Sequence, residues 1–326
     1  MNIDAHSHFL PVTVVDYMKK HGTELQLAIS EENGGLWMSY GGLKFPIAPG
    51  IMDNAVKLED MKAMNIQKTV LSVAPMCFFY WIDSLACSLD VAQLCNDWVS
   101  DAVKKDPEHF SGMATVPMQE PKEALKELRR AHEQLGLKAV EIAPIIRGMQ
   151  LDNEGFFPIY EYCADKGILV YLHPQVTEKR EEYSQYYNTN LIGNILETNI
   201  GINHLLFGGV FEKYPALKVL ASHGGGYFPY QLGRLMHGYE VRKEPKAKGA
   251  KSPENYVKNL YFDTITHWTP SLQFLIDTYG ADHIVLGTDY PYDMGDLTPM
   301  DSLDKIKLTT EQRELICHGN IERLLG

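Results

Sequence analysis

The stretch NIDAHSH (residues 2–8) is an apolar-to-polar run that ends in two histidines separated by one serine. Side chains two residues apart on a β-strand point to the same face. A strand here would therefore project His6 and His8 together and turn Ser7 away. Two neutral imidazoles on one face can chelate a metal ion. The alternative is a pair of solvated histidines near the start of the chain. A metal site requires further ligands from the rest of the chain.

The remainder of the chain repeats one pattern, in which a short apolar run is followed by a longer amphipathic segment. With residues 2–8 as the first, there are eight such runs, and each leads to a segment with helical spacing. Eight strand–helix units without a linker, a low-complexity stretch or a repeat predict a single domain, residues 1–326, with the (β/α)8 barrel fold. A doubly wound open sheet is the alternative. The seven later runs are KTVLSVAP (68–75), FSGMATVPM (110–118), KAVEIAP (138–144), ILVYLHP (168–174), LKVLASHGG (217–225), LYFDTIT (260–266) and HIVLGTDYP (283–291).

Residues 22–47 interrupt this pattern and predict a small β-hairpin insertion after the first strand. LQLAIS and LWMSYGGLKF flank EENGG, whose Asn33-Gly34 pair suits a tight hairpin turn.

Several helix boundaries also have local signals. Pro121 suits the first position of a helix and Gly136 suits its end. Thr309 and Gln312 match a capping box, and Gly319 is expected to end that helix.

The composition restricts the class of protein. A hydrophobic content of 45% with 22% charged residues is ordinary for a soluble globular chain. The net charge of −12 argues against nucleic acid or an anionic membrane as a general partner. No apolar run approaches the ~20 residues of a membrane helix, and we expect no signal peptide before the first strand. The odd number of cysteines without CxxC spacing indicates reduced core thiols, so we expect a soluble cytoplasmic protein. The cysteines are Cys77, Cys87, Cys95, Cys163 and Cys317.

Metal-binding and acid–base residues occur where four of the apolar runs end. His6 and His8 end the first run, His173 the fifth, His223 the sixth and Asp289 the eighth. Active sites of (β/α)8 barrels form at the C-terminal ends of the strands. One strand-end histidine is usually structural, but four strands that end in this way predict a functional site. An open sheet gives no reason for this distribution.

The residue types predict the chemistry of that site. Three imidazoles and one carboxylate, from His6, His8, His173 and Asp289, suit one Zn²⁺ per chain with a position left for water or substrate. Mn²⁺ or another divalent metal is the alternative, and Asp289 has the alternative roles of capping a helix or orienting a histidine. His223 precedes three glycines and fits better as the general acid/base, because imidazole exchanges protons near neutral pH.

The fourth strand carries Glu141 in place of the lysine that often bridges two metals in related barrels. We interpret Glu141 as a residue behind the ligands, with a metal role as the alternative.

Five motifs of the chain resemble a known family. They are similar to the amidohydrolase superfamily and, within it, to the branch of 2-amino-3-carboxymuconate 6-semialdehyde decarboxylase, and the likeness runs along the whole chain. The resemblance implies a zinc-dependent (β/α)8 barrel, usually dimeric, that performs nonoxidative decarboxylation. It also implies a catalytic His223 and metal binding by His6, His8, His173 and Asp289. The motifs are IDAHSHFLP (3–11), PMCFFYW (75–81), YLHPQ (171–175), GGVFEKYPALKVLASHGGGYFPYQLGRLMHG (208–238) and LGTDYP (286–291).

The resemblance further implies that Arg242 reaches across a homodimer to a substrate carboxylate. The sequence departs from the family pattern in two places. Pro46 stands where a second substrate-binding arginine is expected after Phe45, and Gln175 replaces the aromatic residue that usually follows His-Pro. Phe45, Gln175 and Arg242 are therefore the candidate substrate-binding residues, and the departures lie where specificity is set.

Together these features predict a metal-dependent decarboxylase of a small unsaturated or aromatic carboxylic acid, similar to 2-amino-3-carboxymuconate 6-semialdehyde. A hydrolase or hydratase of the same superfamily, acting on a related ring-cleavage product, is the alternative, because both reactions need an activated water and a proton shuttle. A catalytically inactive metal-binding or scaffold protein is a third possibility. The presence of all five site residues argues against it, because inactive sites usually lose a ligand or the base.

Overall fold

The computed structural model describes residues 1–40, 43–175 and 181–326. All eight predicted strands are present, and each is hydrogen-bonded in parallel to its neighbour along the chain. They are β1 (Ile3–Phe9), β2 (Lys68–Val73), β3 (Phe110–Gly112, continued by Ala114–Thr115), β4 (Ala139–Ile142), β5 (Leu169–Leu172), β6 (Val219–Ala221), β7 (Leu260–Asp263) and β8 (Ile284–Val285).

The first and last strands close the sheet into a barrel. Ser7 and Tyr290 form a parallel bridge. The amide of Ala5 donates to the carbonyl of Leu286 at 2.8 Å, and further along, the amide of His8 donates to the carbonyl of Tyr290 at 2.8 Å. An open doubly wound sheet would leave these edges unpaired, so the predicted (β/α)8 barrel is confirmed.

Helices follow each strand, as the amphipathic segments predicted. Those before β2 are Val12–Lys20, Gly22–Leu25, Pro49–Met52 and Asn54–Ala63. Those between β2 and β5 are Leu85–Lys105, Pro121–Glu133 and Phe157–Lys166. Those after β5 are Ile195–Phe207, Val210–Lys213, Phe228–Val241, Thr269–Tyr279, Pro299–Asp304, Thr310–Glu314 and Asn320–Leu325.

The C-terminal helix shows one correct and one wrong boundary. Thr309 and Gln312 form the predicted capping box. Gly319 does not end the helix, because its φ of −58° is right-handed and a π-helical turn, Leu315–Gly319, leads into Asn320–Leu325. Ile321 and Leu324 of that last segment are buried, and this packing outweighs the weak helix propensity of glycine.

The insertion is a three-stranded antiparallel sheet, one strand larger than the predicted hairpin. Asn33 and Gly34 have φ values of 51° and 78° and make the predicted tight turn. The predicted range also contains Gly41 and Gly42, which lie outside the described residues. Tyr40 stacks on Trp81, with ring centroids 5.4 Å apart, so the insertion contacts the loop that follows β2. Its strands are Leu27–Glu32, Gly35–Tyr40 and Leu43–Pro46.

Apolar side chains fill the barrel below its C-terminal rim. Ala5, Val70, Leu169, Leu220 and Val285, each from a different strand, form one buried cluster. The barrel interior is therefore a packed core, and the rim is the place left for a site.

Two expectations about the whole chain can be compared with the structure. The five cysteines are buried and unpaired, as predicted. None of the helices in the described part of the chain combines the length and the apolar character that crossing a bilayer requires.

Candidate functional site

The four predicted metal ligands meet at the C-terminal rim of the barrel. His6, His8, His173 and Asp289 are all buried, and one ligand atom from each lies within 4.8 Å of the others. The Nε2 atoms of His6 and His8 are 3.2 Å apart. Asp289 Oδ1 lies 3.2 Å from the first and 3.1 Å from the second. The His173 ring centroid is 5.0 Å from that of His6 and 4.8 Å from that of His8.

The ends of the strands bring these side chains together. His6 and His8 share a face of β1, as the alternation of a strand requires. Asp289 follows β8, and its amide donates to the carbonyl of His6 at 2.8 Å. Asp289 has a φ of 58° and His223 a φ of 55°. Such left-handed backbone costs about 1–3 kcal/mol for residues other than glycine and clusters at functional sites, so the surrounding structure holds both residues in place.

Each imidazole is oriented by an acceptor at its Nδ1 atom. That atom lies 2.8 Å from Asp263 Oδ2 in His6, 3.2 Å from the carbonyl of Val73 in His8, and 3.0 Å from the carbonyl of Pro174 in His173. A proton on Nδ1 satisfies these acceptors and leaves the Nε2 lone pair facing the centre of the site. Metal-binding histidines are oriented in this way.

The electrostatics of the site favour a divalent cation. Burial lowers the pKa of His8 to about 4 and the pKa of His173 well below its ordinary value, so both imidazoles are neutral. Burial would lower the pKa of His6, but the carboxylates of Asp289 and Asp263 raise it to about 10. Burial would raise the pKa of Asp289, but His6 and the neighbouring imidazoles hold it well below its ordinary value. The two carboxylates beside His6 therefore favour a cation at the centre of the ligand group.

The Nε2 atom of His173 gives a direct test of this fit. It is buried and, among the residues that the structure describes, it has no hydrogen-bond partner. Buried polar atoms in proteins are nearly always paired, so this lone pair requires a partner from outside the chain. The donor set of three imidazole nitrogens and one carboxylate oxygen therefore fits a divalent metal.

His223 lies beside the ligand group. Its Nε2 is 3.6 Å from Asp289 Oδ2, and its ring centroid is 5.1 Å from that of His173. Ser222 Oγ lies 3.1 Å from its Nδ1. Unlike the ligands, its side chain is 13% exposed. In this position His223 contacts the group of metal ligands on one side and solvent on the other.

A cavity of about 520 Å³ adjoins His223. This volume is in the usual range for small-molecule sites. Its walls are largely apolar, and His223 is the titratable group nearest the metal ligands. The lining includes His223, Tyr227, Ile265, Trp268, Phe274 and Met294.

Asp263 is a functional residue that the sequence analysis missed. Its Oδ2 accepts from Nδ1 of His6 at 2.8 Å and from the amide of His223 at 2.9 Å. Its Oδ1 accepts from the amides of Gly224 at 2.8 Å and Ile265 at 3.1 Å. Asp263 therefore ties a ligand to the backbone of the candidate acid/base. The sequence does contain a signal for Asp263. It is a polar residue towards the end of the apolar run LYFDTIT, as the metal ligands are in their own runs.

A second buried network supports β1, and the sequence did not indicate it either. Lys57 Nζ donates to the carbonyl of His8 at 2.8 Å and to Ser7 Oγ at 3.2 Å. Asp4 accepts from Thr288 Oγ1 at 2.6 Å and from the amide of His6 at 3.0 Å. Burial lowers the pKa of Lys57 to about 7 and raises that of Asp4 to about 6. These contacts hold the strand that carries two ligands against β8.

Glu141 is fully buried on β4 but is not one of the four grouped ligands. It pairs in register with Tyr171 of β5, whose ring lies 5.3 Å from that of His6, so both face the barrel interior. Ser72 and the backbone of Val73, both on β2, are the hydrogen-bonding groups next to its carboxylate. Burial raises the pKa of Glu141 well above its ordinary value, although the charge of His6 opposes this.

The three candidate substrate-binding residues occupy different positions relative to the metal ligands. Gln175 follows His173 by two residues, is buried, and hydrogen-bonds with the side chain of Tyr40 in the insertion. Phe45 lies in the insertion, with its ring centroid 5.9 Å from that of Tyr40. Arg242 is exposed and pairs with Glu244. It follows the 14-residue helix Phe228–Val241, about 20 Å long, so the structure does not bring Arg242 to the site of its own chain.

Comparison with known proteins agrees with this geometry. Residues 3–326 match the family model described as Amidohydrolase. The chain is 32% identical to the 2-amino-3-carboxymuconate-6-semialdehyde decarboxylase of Dictyostelium discoideum, over 100% of this chain and 92% of that protein. It is 22% identical to the 2-keto-4-carboxy-3-hexenedioate hydratase of Sphingobium sp., over 99% of this chain and 96% of that protein.

Among solved structures, the fold is similar to a mutant of the 5-carboxyvanillate decarboxylase of Novosphingobium aromaticivorans. The TM-score is 0.85 at 22% identity, and the match covers 100% of this chain and 97% of that chain. That structure holds manganese and 3-methoxy-4-hydroxy-5-nitrobenzoic acid.

Proposed function

This chain belongs to the amidohydrolase family, and we propose that it is a metal-dependent, nonoxidative decarboxylase of a small unsaturated or aromatic carboxylic acid. One observation carries the proposal. Four buried ligands converge beside His223, which is excluded from the ligand group and faces a cavity of about 520 Å³. A binding or scaffold protein would not need a solvent-connected imidazole next to its metal.

His6, His8, His173 and Asp289 would hold one divalent ion. We propose Zn²⁺, because it prefers imidazole and carboxylate ligands in this number, and Mn²⁺ is the alternative because the Novosphingobium decarboxylase contains it. When bound, such an ion polarises a substrate oxygen or activates a water. Asp263 keeps His6 in the orientation that this role requires.

His223 would supply the proton. Its partly exposed ring takes a proton from solvent through the cavity and delivers it to the substrate carbon that bears the carboxylate. The C–C bond then breaks, and its electron pair stays with that carbon as CO2 leaves. One carboxylate and one proton thus give R–H and CO2. Asp289 Oδ2 lies 3.6 Å from Nε2 of His223, so a negative charge faces the nitrogen that would carry the proton. The apolar lining of the cavity favours loss of a carboxylate that has been removed from water.

Hydration is the second candidate, because a relative that covers nearly the whole chain is a hydratase. The same residues would then deliver a proton to a double bond while water adds to its other carbon. The mass of the product separates the reactions, since decarboxylation loses CO2 and hydration gains water.

The test is CO2 release from a panel of muconate-type and hydroxybenzoate-type acids. We expect release from at least one acid, abolition by a chelator and recovery on adding Zn²⁺ or Mn²⁺. His223→Ala, assayed with verified metal content, controls for metal-catalysed release without the protein acid. A metal-replete enzyme that is inert on the whole panel, or a product heavier by one water, would contradict the proposal.

We also propose a cytoplasmic homodimer in which Arg242 of one subunit contacts the substrate carboxylate in the other. The helix Phe228–Val241, which leads to Arg242, buries only Phe228 and Pro229. Tyr230 and Val241 of this helix are 79% and 59% exposed. This face supports contact with a second copy. The unpaired cysteines support a reducing compartment.

In this dimer, Phe45 of the insertion and Gln175 would complete the pocket. With Pro46 in place of an arginine, the substrate would present one carboxylate fewer than 2-amino-3-carboxymuconate 6-semialdehyde, or would present it differently. Arg242→Lys should raise KM or lower turnover at unchanged metal content, because lysine cannot bind a carboxylate through two parallel hydrogen bonds. Arg313→Lys is the matched control, since Arg313 is also a surface arginine paired with a carboxylate, Asp304, at 2.7 Å. A fully active monomer would contradict the dimer.

A further inference from the structure

The cavity beside His223 has an aromatic outer part. Tyr227, Trp268 and Phe274 line the same cavity as His223, and we call these three residues the aromatic rim. The side chains of Trp268 and Phe274 are 65% and 41% exposed, and Tyr227 is exposed as well. Single exposed apolar residues are ordinary in proteins, but aromatic ones grouped around one cavity mark a binding surface.

The aromatic rim is connected rigidly to the turn that carries His223. Asp263 Oδ1 accepts from the amide of Gly224 at 2.8 Å and from an amide of the loop after β7 at 3.1 Å. A Cβ atom added to Gly224 would lie 2.9 Å from Cγ2 of Thr266, so the turn and the loop pack closely. Thr266 Oγ1 donates to the carbonyl of Trp268 at 3.2 Å. The backbone of Trp268 is therefore fixed relative to His223, and the cavity between them is preformed.

The size of the cavity suits an acid that extends beyond the reacting group. Its volume of about 520 Å³ lies in the range of cavities that enclose drug-sized molecules. An acid with a single ring, placed with its reacting carbon at His223, does not need a cavity of this size. An apolar group that continues to the aromatic rim would displace water from the exposed rings, which favours binding.

The chemistry of the lining favours an uncharged group. The described residues that line the cavity include no arginine, lysine, aspartate or glutamate. A second anionic group at the rim would lose its hydration without gaining a counter-charge from these residues. An apolar group needs no counter-charge.

We propose that Tyr227, Trp268 and Phe274 bind an uncharged, planar apolar group of the substrate, such as an aryl substituent, on the side of the acid away from the metal. Aromatic side chains contact planar groups in offset-stacked or edge-to-face arrangements. This inference rests on the proposed function and names a part of the acid that the metal ligands and His223 do not contact.

A second copy of the chain is the competing occupant of the rim. Tyr230 also lines the cavity, lies on the helix proposed for the dimer, and has its ring centroid 6.1 Å from that of Phe274. The rim is continuous with His223, however, and a protein side chain inserted there would obstruct the cavity through which the substrate reaches that imidazole. The substrate is therefore the occupant that this cavity fits.

The experiment measures binding rather than turnover. Protein with verified Mn²⁺ content is titrated calorimetrically with 2-hydroxybenzoate and with its derivatives that carry a phenyl or a carboxylate group at position 4 or 5. We expect a phenyl derivative to bind at least ~10-fold more tightly than 2-hydroxybenzoate, and the carboxylate derivatives to show no such gain. A tenfold gain requires burial of roughly 55 Å² of apolar surface at about 25 cal/mol per Å², which is less than a buried aromatic ring provides.

Trp268→Ala and Phe274→Ala should each reduce the phenyl gain to ~3-fold or less, because part of the apolar contact is lost, while metal content stays unchanged. Trp268→Phe should retain most of the gain, since it keeps an aromatic ring at that position. Trp37→Ala is the matched control. Trp37 lies in the insertion, donates from Nε1 to the carbonyl of Glu32 at 3.3 Å, and is not among the residues that line the cavity.

Three results would overturn the inference. The first is a phenyl derivative that binds no more tightly than 2-hydroxybenzoate. The second is a phenyl gain that Trp268→Ala and Phe274→Ala leave unchanged. The third is a Trp268→Ala protein that sediments as a monomer where the wild type is a dimer and keeps the full phenyl gain, which would make the rim a contact between subunits.

The proposed function fails separately from this inference. If the phenyl gain depends on the rim as expected but no acid releases CO2, the rim stands as a binding surface and decarboxylation does not. If CO2 is released and the rim variants leave the phenyl gain unchanged, decarboxylation stands and the rim does not.

Discussion

Two sides of the same site differ in how their polar groups are satisfied. On the side of β1, β7 and β8, Asp263 accepts four hydrogen bonds, and Lys57 and Asp4 are bonded to the strand that carries His6 and His8. We call Asp4, Lys57 and Asp263 the paired wall. By contrast, the buried hydroxyls of Tyr80, in the loop after β2, and Tyr292, in the loop after β8, have no hydrogen-bond partner in the described part of the chain, and we call these two residues the unpaired wall.

The difference indicates that the two sets of residues have different roles. Fully satisfied buried networks rigidify a structure, so the paired wall holds the metal ligands in their geometry before any substrate arrives. Unsatisfied buried groups lower stability and are tolerated where a ligand completes them. The paired wall therefore fixes the metal ligands, and the hydroxyls of the unpaired wall contribute no hydrogen bond to that rigidity.

Removing a ligand should have the largest effect. His6→Ala, His173→Ala and Asp289→Ala should each lose metal and activity together. The three remaining ligands are held rigidly and cannot move to compensate for the lost one. Elemental analysis and CO2 release measure the two losses. His109→Ala is the control. His109 lies away from the site, is half-exposed, and its Nδ1 is 2.8 Å from the carboxylate of Asp106. Undiminished metal in His173→Ala would show that the ligand set is wrong.

His223→Ala should keep its metal and lose roughly 10²-fold or more in turnover, the usual scale for a lost general acid or base. The reason is its position beside the ligand group, with a ring that reaches the cavity. Metal content and single-substrate kinetics distinguish the outcomes. Loss of metal would place His223 among the ligands and leave the proton donor unidentified.

Asp263→Asn should weaken metal binding by ~10–100-fold, as loss of a carboxylate behind a ligating histidine usually does. The variant keeps the size of the side chain but removes the charge that orients His6 and holds the backbone of His223. Metal affinity is measured by competition with a chelator. Tyr80→Phe, in the unpaired wall, should leave metal affinity unchanged, and equal weakening in both variants would erase the distinction between the walls.

The smallest expected effect is on stability. Tyr80→Phe and Tyr292→Phe should leave the free energy of unfolding unchanged or slightly higher, because their hydroxyls make no hydrogen bond that folding gains. Tyr160→Phe should lower it by about 1 kcal/mol, since a satisfied hydrogen bond is lost. Denaturant unfolding measures all three. Destabilisation of Tyr80→Phe equal to that of Tyr160→Phe would mean that the wall is already paired, by water.

Much of the site could be predicted from local sequence. His6, His8, His173 and Asp289 each end an apolar run, and the structure places all four in one group. In a parallel barrel, the C-terminal ends of all strands meet at one rim. The position of a residue after its strand is therefore enough to place it, and no long-range contact has to be known. The hairpin turn at Asn33 and Gly34 and the capping box at Thr309 are local in the same way.

Only the tertiary structure decided the surroundings of these ligands. Asp263 and His6 are 257 residues apart in the chain, and Lys57 is 49 residues from the carbonyl it binds. Whether a buried aspartate or lysine has a partner depends on which strands become neighbours, and local patterns do not encode this. Glu141 shows the same limit, because its burial follows from what β2 and β5 place around it. The sequence by itself determined the metal chemistry, since rim position and residue type suffice for that. The pairing of each wall was decided by packing, because a hydrogen bond requires two atoms at contact distance, and only the closed barrel sets that distance.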